Sequence, residues 1–496
     1  MKYNIIQKYS KQITMLSLTL IFSLSGCDKE LLSPISETAI SDANAFDTPA
    51  RIDQQINGLY ATLKNGQFYG GRYLVYNDIR GEEFINRLDN IVTGKSVWSL
   101  NLEAGRDEVN NLWAQAYSTI NRVNVLLKGL DDNASKIAPA LLANYKSEAK
   151  FIRGLCYYSL LQLYAKPFTL NNGASLGVPL RLVAESTGDN NDLARSTVTQ
   201  VYTQILADLN EAETGLPANY SSAELNTTRA HKNTAIALKT RVYLTMGRYA
   251  DVLTEGNKIV PLTAPFKASS GVAHELQANV ATVYTNYTTT ESIFSMPMGD
   301  TNAPGIQNGL GFYFNRPGSG FGNGEYFLNT AAAGILTNPL WPATDARKVN
   351  FVTVNGGQSY ITKYKRTSPF TDYVPVIRYA EVMLNLAEAI ARTSTGPSVR
   401  AIALLNAVRQ RSEAGYVFNP TNLLTQTALI NTILTERRIE LIAEGFRSID
   451  LLRTNSIIPG KISPTEPVNP VAPTEAQYIW PIPINEIRTN KLIVPN

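Results

Sequence analysis

The stretch Glu436-Arg437-Arg438-Ile439-Glu440-Leu441-Ile442-Ala443-Glu444-Gly445-Phe446-Arg447-Ser448-Ile449-Asp450-Leu451-Leu452-Arg453 carries two superimposed periods. Ile439, Ile442, Phe446, Ile449 and Leu452 recur at the spacing of one helix face, and Glu444, Arg447, Asp450 and Arg453 follow one another at steps of three. The spacing predicts an amphipathic helix over 436–453. A charge ladder of alternating sign is by default a solvated face, each pair contributing about 0.3 kcal/mol. Gly445 is out of place, because glycine inside a helix costs about 1 kcal/mol against alanine. Its presence points to close packing by another element or to a local break.

Working outward, the 496-residue chain is 44% apolar and 17% charged, the composition of a packed globular protein. Its front end is different. Lys2, Lys8 and Lys11 precede an apolar run from Ile13 to Leu24, and no acid appears before Asp28, the pattern of a secretory signal peptide over 1–26. That run is shorter than the roughly 20 residues a spanning helix needs, so the mature chain is expected not to span a membrane. Leu24-Ser25-Gly26-Cys27 resembles the bacterial lipobox, which makes Cys27 the expected lipidation site. Several acyl chains on one residue anchor stably, since each buried methylene contributes about 0.8 kcal/mol. Asp28, Lys29 and Glu30 resemble the surface-export signal of Bacteroidetes lipoproteins, and residues 27–44 read as the lipidated cysteine and its tether.

Charge and cysteine content narrow the classes further. The formal net charge is +4, and loss of the leader removes three lysines and no acid, leaving +1. Nucleic acid is not an expected partner, because its binding rests on a strongly basic surface. With Cys27 lipidated only Cys156 remains, so no intrachain disulfide can form and Cys156 reads as a small buried hydrophobe.

Helical patterns dominate residues 45–496. Thr48 and Pro49 open a helix whose buried stripe is Ile52, Ile56, Leu59, Tyr60 and Leu63, stopped by Asn65 and Gly66. Further helices are expected over about 108–130 and 141–164. Another, capped by Ser196, runs to Gly215, and its partner carries Ala235, Leu238, Val242, Tyr243 and Leu244 before Gly247. That partner resembles a tetratricopeptide helix, and 376–393 with 399–411 makes a later pair. The fold class expected is all-α, a scaffold of tetratricopeptide-like helical hairpins. Residues 67–105 and 263–372 lack a sustained helical period and read as loop-rich excursions, the first places to look for binding.

These motifs together resemble the SusD/RagB family of outer-membrane nutrient-binding lipoproteins. The resemblance rests on Glu436 to Arg453, on Arg378-Tyr379-Ala380-Glu381, on Leu405 to Arg409, and on Trp480-Pro481-Ile482-Pro483 with Glu486 and Asn490. Asn57-Gly58-Leu59-Tyr60, Asp78, Trp113, Tyr117, Ile120 and Asn121 match near the front. It implies a single domain over 45–496, anchored by lipid in the outer membrane beside a SusC-like TonB-dependent transporter, to which it delivers an oligosaccharide or polysaccharide. It also assigns the arginines and glutamates of 436–453 to a structural framework that pairs with neighbouring helices.

Sugar recognition needs flat apolar faces and planar polar groups. The candidates are Tyr69, Tyr73, Asn77, Arg80, Trp98 and Asn101 in the first excursion, with Tyr313, Phe321, Tyr326 and Trp341 in the second. Trp98 is favoured because it lies outside a predicted helix. A peptide ligand, held by backbone hydrogen bonds and apolar pockets, is the alternative within the same family. A surface glycoside hydrolase using Glu82 with Glu83, or Asp107 with Glu108, stands behind it. His231 and His274 are the two histidines, and no metal-spaced cluster, phosphate loop or nucleophile–base pair is present, so neither a cofactor nor a catalytic residue is expected.

Overall fold

The computed structural model describes residues 45–189, 191–462 and 467–496. The expected leader, Cys27 and the tether lie outside the described residues. The chain divides into two units, 1–52 and 53–496. Residues 45–48 form a turn and Pro49 opens helix α1 (Pro49–Leu63), with the Thr48 hydroxyl accepting from the Arg51 N–H at 3.3 Å.

In the second unit α2 (Arg72–Ile79) and the short strand β1 (Phe84–Asn86) precede the long helices α3 (Asp107–Asp132) and α4 (Pro139–Tyr164). The first turn of α3 carries Asp107 and Glu108, which suit the positive end of a helix dipole, and α4 starts on Pro139, whose missing N–H costs nothing there. Helix α5 (Val198–Gly215) is capped by Thr197 rather than the expected Ser196. The Thr197 hydroxyl accepts from the Gln200 N–H and the Gln200 side chain reaches back, closing a capping box. Then come α6 (Lys232–Thr245) and α7 (Tyr249–Gly256).

The excursion that follows holds β2 (Ser292–Met296), β3 (Tyr326–Leu328), β4 (Val352–Asn355) and β5 (Gln358–Ile361). The last two form a hairpin across Gly356 and Gly357, both at positive φ, as a two-residue turn requires. Strand β6 (Val374–Arg378) pairs antiparallel with β2, and it occupies residues expected to begin a helix, which starts only at α8 (Tyr379–Thr393). Hydrogen bonding to β2 takes that segment's backbone groups before α8 can. Helices α9 (Val399–Gln410), α10 (Gln426–Glu440) and α11 (Arg447–Arg453) complete the series.

The architecture is predominantly helical, with tetratricopeptide-like hairpins. Helix α4 packs on α3 and α5, α5 on α6, α6 on α7, α7 on α8, and α8 on α9 and α10. The stack therefore continues from α7 to α8 across residues 257–378, so distant parts of the chain build one scaffold. Helix α4 is buried on every side from Phe151 to Tyr164, with Cys156 at its centre, where burial pushes the thiol far above its ordinary pKa.

The expected single helix over 436–453 is two helices. It breaks at Leu441 to Phe446, where Ala443 takes φ 63° and Gly445 φ 82°. A Cβ on Gly445 would lie 2.7 Å from the Leu74 Cα, so the glycine serves both roles its position suggested, a break and a close approach. The ladder is also not solvated. Asp450 and Arg453 pair at 2.7 Å, but Glu444 turns to Arg378 and Lys363, and Arg447 to Glu82. Each of these partners lies far off in sequence.

His231 and His274 stack with ring centroids 5.3 Å apart, both fully buried, and the His274 Nδ1–H donates to the Thr290 carbonyl at 3.0 Å. Burial, and for His231 its neighbour His274, lowers their pKa values to about 3 and about 4. The unfolded chain binds these protons near pH ~6.5 and the folded chain does not. Their contribution is thus complete above that pH and lost as pH falls toward about 4 and about 3. His231→Phe keeps the stack and removes one titrating site. It should lose less thermal midpoint than the parent between about pH 7.5 and about pH 4.5, by calorimetry; an equal loss contradicts the assignment.

Candidate functional site

Three concavities lie side by side along residues 91–106. A first cleft of about 560 Å³ is lined by Arg80, Leu100, Asn101, Lys166, Arg195 and Gln477 among others. A second of about 590 Å³ shares Leu100, Asn101, Glu475 and Gln477 with it. A third of about 420 Å³ shares Ile91 and Arg106 with the second and reaches Gln67, Arg72, Asp107 and Glu108. Shared walls make these one groove.

One wall is the segment 91–106. Asn90 caps its first turn by accepting from the Val92 N–H at 3.0 Å, and Leu100 takes φ 57°, which turns Asn101 out to solvent. An L-residue in this region is strained, and such strain persists only where surrounding contacts fix it. The contacts are visible underneath. The Trp98 indole N–H donates to the Phe84 carbonyl at 2.8 Å, while the Lys461 ammonium lies 5.2 Å from the indole ring centre and donates to the Trp98 and Ile79 carbonyls. Burial, together with the positive charge of Arg80, holds the Lys461 pKa well below its ordinary value.

The opposite wall is 467–477. Its backbone pairs with 458–461 through reciprocal bonds between Lys461 and Val468 and between Ile458 and Val471. Arg80, which lines the first cleft, holds the end of this wall, donating to the Gln477 carbonyl at 2.8 Å and the Tyr478 carbonyl at 2.6 Å as well as to the Ser448 hydroxyl at 3.2 Å. Arg195 closes the far end, donating to the carbonyls of Gly177, Leu176 and Val494.

The sequence-predicted residues divide sharply by exposure. Asn101 is exposed and lines the first two clefts, and Arg80, though 1% exposed, lines the first. Phe321 is 38% exposed on a glycine-rich loop outside the groove, with the Arg316 guanidinium 3.4 Å from its ring centre. The others are interior. Tyr69 bonds Ser159 at 2.9 Å and packs on Tyr73, and Asn77 donates to the Tyr73 carbonyl. Tyr313 donates to the Gln307 carbonyl and Tyr326 to that of Thr93, while Trp341 packs under Lys348. Trp98 is 2% exposed and supports the groove wall from beneath.

Among the described residues, no aromatic side chain lines the three clefts. Their apolar contacts come from Ile91, Val92, Leu100, Leu102, Ile479 and Pro481, and their planar polar groups from Gln67, Asn101, Asn111, Asn469 and Gln477. The 467–477 wall was not among the sequence candidates. A signal for it exists in the prolines at 467, 470 and 473, whose three-residue period marks extended chain that cannot join a helix. Of the paired acids, Glu82 and Glu83 are buried and tied to Arg447 and Arg438, whereas Asp107 and Glu108 sit in the third cleft on the first turn of α3.

A stacked-hairpin scaffold carrying one long open groove defines a binding protein architecture. A family model described as "Starch-binding associating with outer membrane" matches residues 32–244, and one described as "SusD family" matches residues 238–496. The chain belongs to the SusD family. A SusD superfamily protein from Bacteroides fragilis is 34% identical, with a TM-score of 0.80 over 90% of this chain and 99% of that one. SusD-like protein P2 of Formosa agariphila is 26% identical over 98% of this chain and 99% of its own. A laminarin-binding SusD-like protein shares the fold at 21% identity and a TM-score of 0.70, over 91% of this chain and 99% of that one. No helix among the described residues is long and apolar enough to cross a membrane.

Two variants separate the roles of neighbouring residues. Trp98→Ala removes a buried indole and its hydrogen bond and should cost about 3–5 kcal/mol in urea unfolding. Asn101→Ala, at an exposed position, should change stability by less than about 0.5 kcal/mol. A Trp98→Ala protein as stable as the parent would show that the indole does not support the wall.

Proposed function

We propose that this chain is a cell-surface lipoprotein that binds an oligosaccharide or polysaccharide in the groove and delivers it to a SusC-like TonB-dependent transporter of the outer membrane. Family membership supports the reading, as do the outer-membrane association in the matched description and the laminarin-binding relative of the same fold. The Leu24 to Cys27 sequence supports attachment by lipid. The observation that carries the proposal is the groove's form: three joined clefts, open along their length, with amide side chains on both walls. An extended chain of sugars fits such a trough, and amides meet hydroxyl groups as both donors and acceptors. Residues 45–496 are read as a single functional domain, a helical scaffold that carries the groove.

Binding without cleavage is the activity proposed. Glu82 and Glu83 are engaged by arginines, and Asp107 and Glu108 are adjacent on one helical turn rather than facing each other across a bond. Purified protein should retard in gels containing its polysaccharide and release no reducing ends. Asn101→Ala combined with Gln477→Ala should weaken binding by roughly tenfold or more, the loss of two hydrogen bonds. Release of product would establish a hydrolase instead, and capture of peptides but no glycan would establish the peptide-binding alternative.

A further inference from the structure

The buried arginines of this protein fall into two groups. Arg153, Arg241, Arg347, Arg378, Arg409, Arg437 and Arg453 each have a carboxylate within ion-pair distance. Arg72, Arg80 and Arg195 have none among the described residues, and these three line the groove. A guanidinium withdrawn from water without an anion is costly. The chain avoids that cost everywhere except along one surface.

The first cleft is the least balanced. Arg80, Lys166 and Arg195 line it and Lys461 stands behind Arg80, against the carboxylate of Glu475. In the second cleft Lys95 pairs with Asp89 at 2.9 Å, and the third holds Asp107 and Glu108 beside Arg72. Burial lowers Arg80 and Arg195 to about 10, so both remain charged at neutral pH. Each guanidinium makes three bonds, all to neutral oxygens. With five N–H donors apiece, two remain on each. Among the described residues, the groove also lacks the aromatic platforms on which neutral sugar rings stack.

We infer that the first cleft takes the anionic groups of an acidic glycan, uronate carboxylates or sulfate esters, between Arg80 and Arg195. This rests on the groove being the glycan site. The charge of the ligand replaces the carboxylate partner that the buried arginines away from the groove already have, and Arg geometry suits both anions. Lys166, exposed at the mouth, adds a screened attraction.

The test is a glycan microarray of uronate-containing, sulfated and neutral oligosaccharides, followed by calorimetry on oligogalacturonate, a carrageenan oligosaccharide, laminarihexaose and maltohexaose. Acidic probes are expected to bind roughly tenfold tighter than neutral ones, because hydrogen bonds to charged groups exceed neutral ones by about that factor. The preference should weaken between about 50 and about 500 mM salt. Whichever acidic class binds identifies uronate or sulfate. Lys166→Gln, at an exposed position, should lower acidic affinity severalfold. Arg195→Gln, checked for folding by its thermal midpoint, should abolish the preference. Equal or tighter binding of neutral glycans, or an acidic preference unchanged in folded Arg195→Gln and Lys166→Gln proteins, overturns the inference while leaving glycan binding intact. Binding of no glycan on the array overturns the proposed function and this inference with it.

Discussion

The carboxylates of Glu440 and Glu444 meet the Arg378 guanidinium inside the protein, at 3.0 and 2.7 Å, and the rest of the structure depends on that contact. Glu291 binds the same guanidinium at 2.5 Å. Arg411 bridges Glu291 and Glu440, Lys363 holds Glu444 at 2.7 Å, and Arg347 joins Glu440 to Glu436 and Asp345. Arg409 closes the set on Asp345 and Glu436. The cations Arg347, Lys363, Arg378, Arg409 and Arg411 thus match Glu291, Asp345, Glu436, Glu440 and Glu444 one for one. A balanced network of this kind adds little net stability over an apolar core, but removing one member strands a charge at a cost of about 3–5 kcal/mol. Burial opposes ionisation of Glu440, yet Arg411, Arg378 and Arg347 hold its pKa far below the ordinary carboxylate range.

From this cluster the chain reaches the groove in two steps. The turn that carries Glu444 presents the Gly445 and Arg447 N–H groups to the Asp78 carboxylate on α2, at 2.8 and 3.2 Å. Burial raises Asp78 to about 7 despite those bonds. Arg447 then holds Glu82 just beyond α2. Between these anchors lie Ile79, whose carbonyl receives Lys461, and Arg80, whose guanidinium grips the 477–478 backbone. The charged stretch does not touch the groove, but it sets the depth and angle of the helix whose end forms the floor.

Much of this organisation is legible in the sequence. Period-3.6 stripes located α3, α4 and the later hairpins to within a few residues, because amphipathic helices declare themselves locally. Three things were not local. The break at Gly445 depends on the approach of Leu74, and the burial of the Glu444 to Arg453 ladder depends on Arg378, Lys363 and Glu82. Neither set of partners is marked by spacing. The distinction between an aromatic ring that faces solvent and one that packs inward was likewise not readable for Tyr69, Trp98 or Tyr326, since composition near each resembles a loop while the ring serves the interior. The exposure of Asn101 was legible because a short polar side chain after an irregular turn has few interior uses. The 467–477 wall becomes visible only when its proline period is read as extended chain set against another segment.

The central claim is that ligand occupies the trough between 91–106 and 467–477, and hydrogen exchange on the full chain with and without a saturating bound glycan tests it most directly. The account predicts slowed exchange in the backbone amides of those two segments, with residues 315–325 around Phe321 unchanged. Protection confined to 315–325, with both groove walls exchanging as in the free protein, would contradict it.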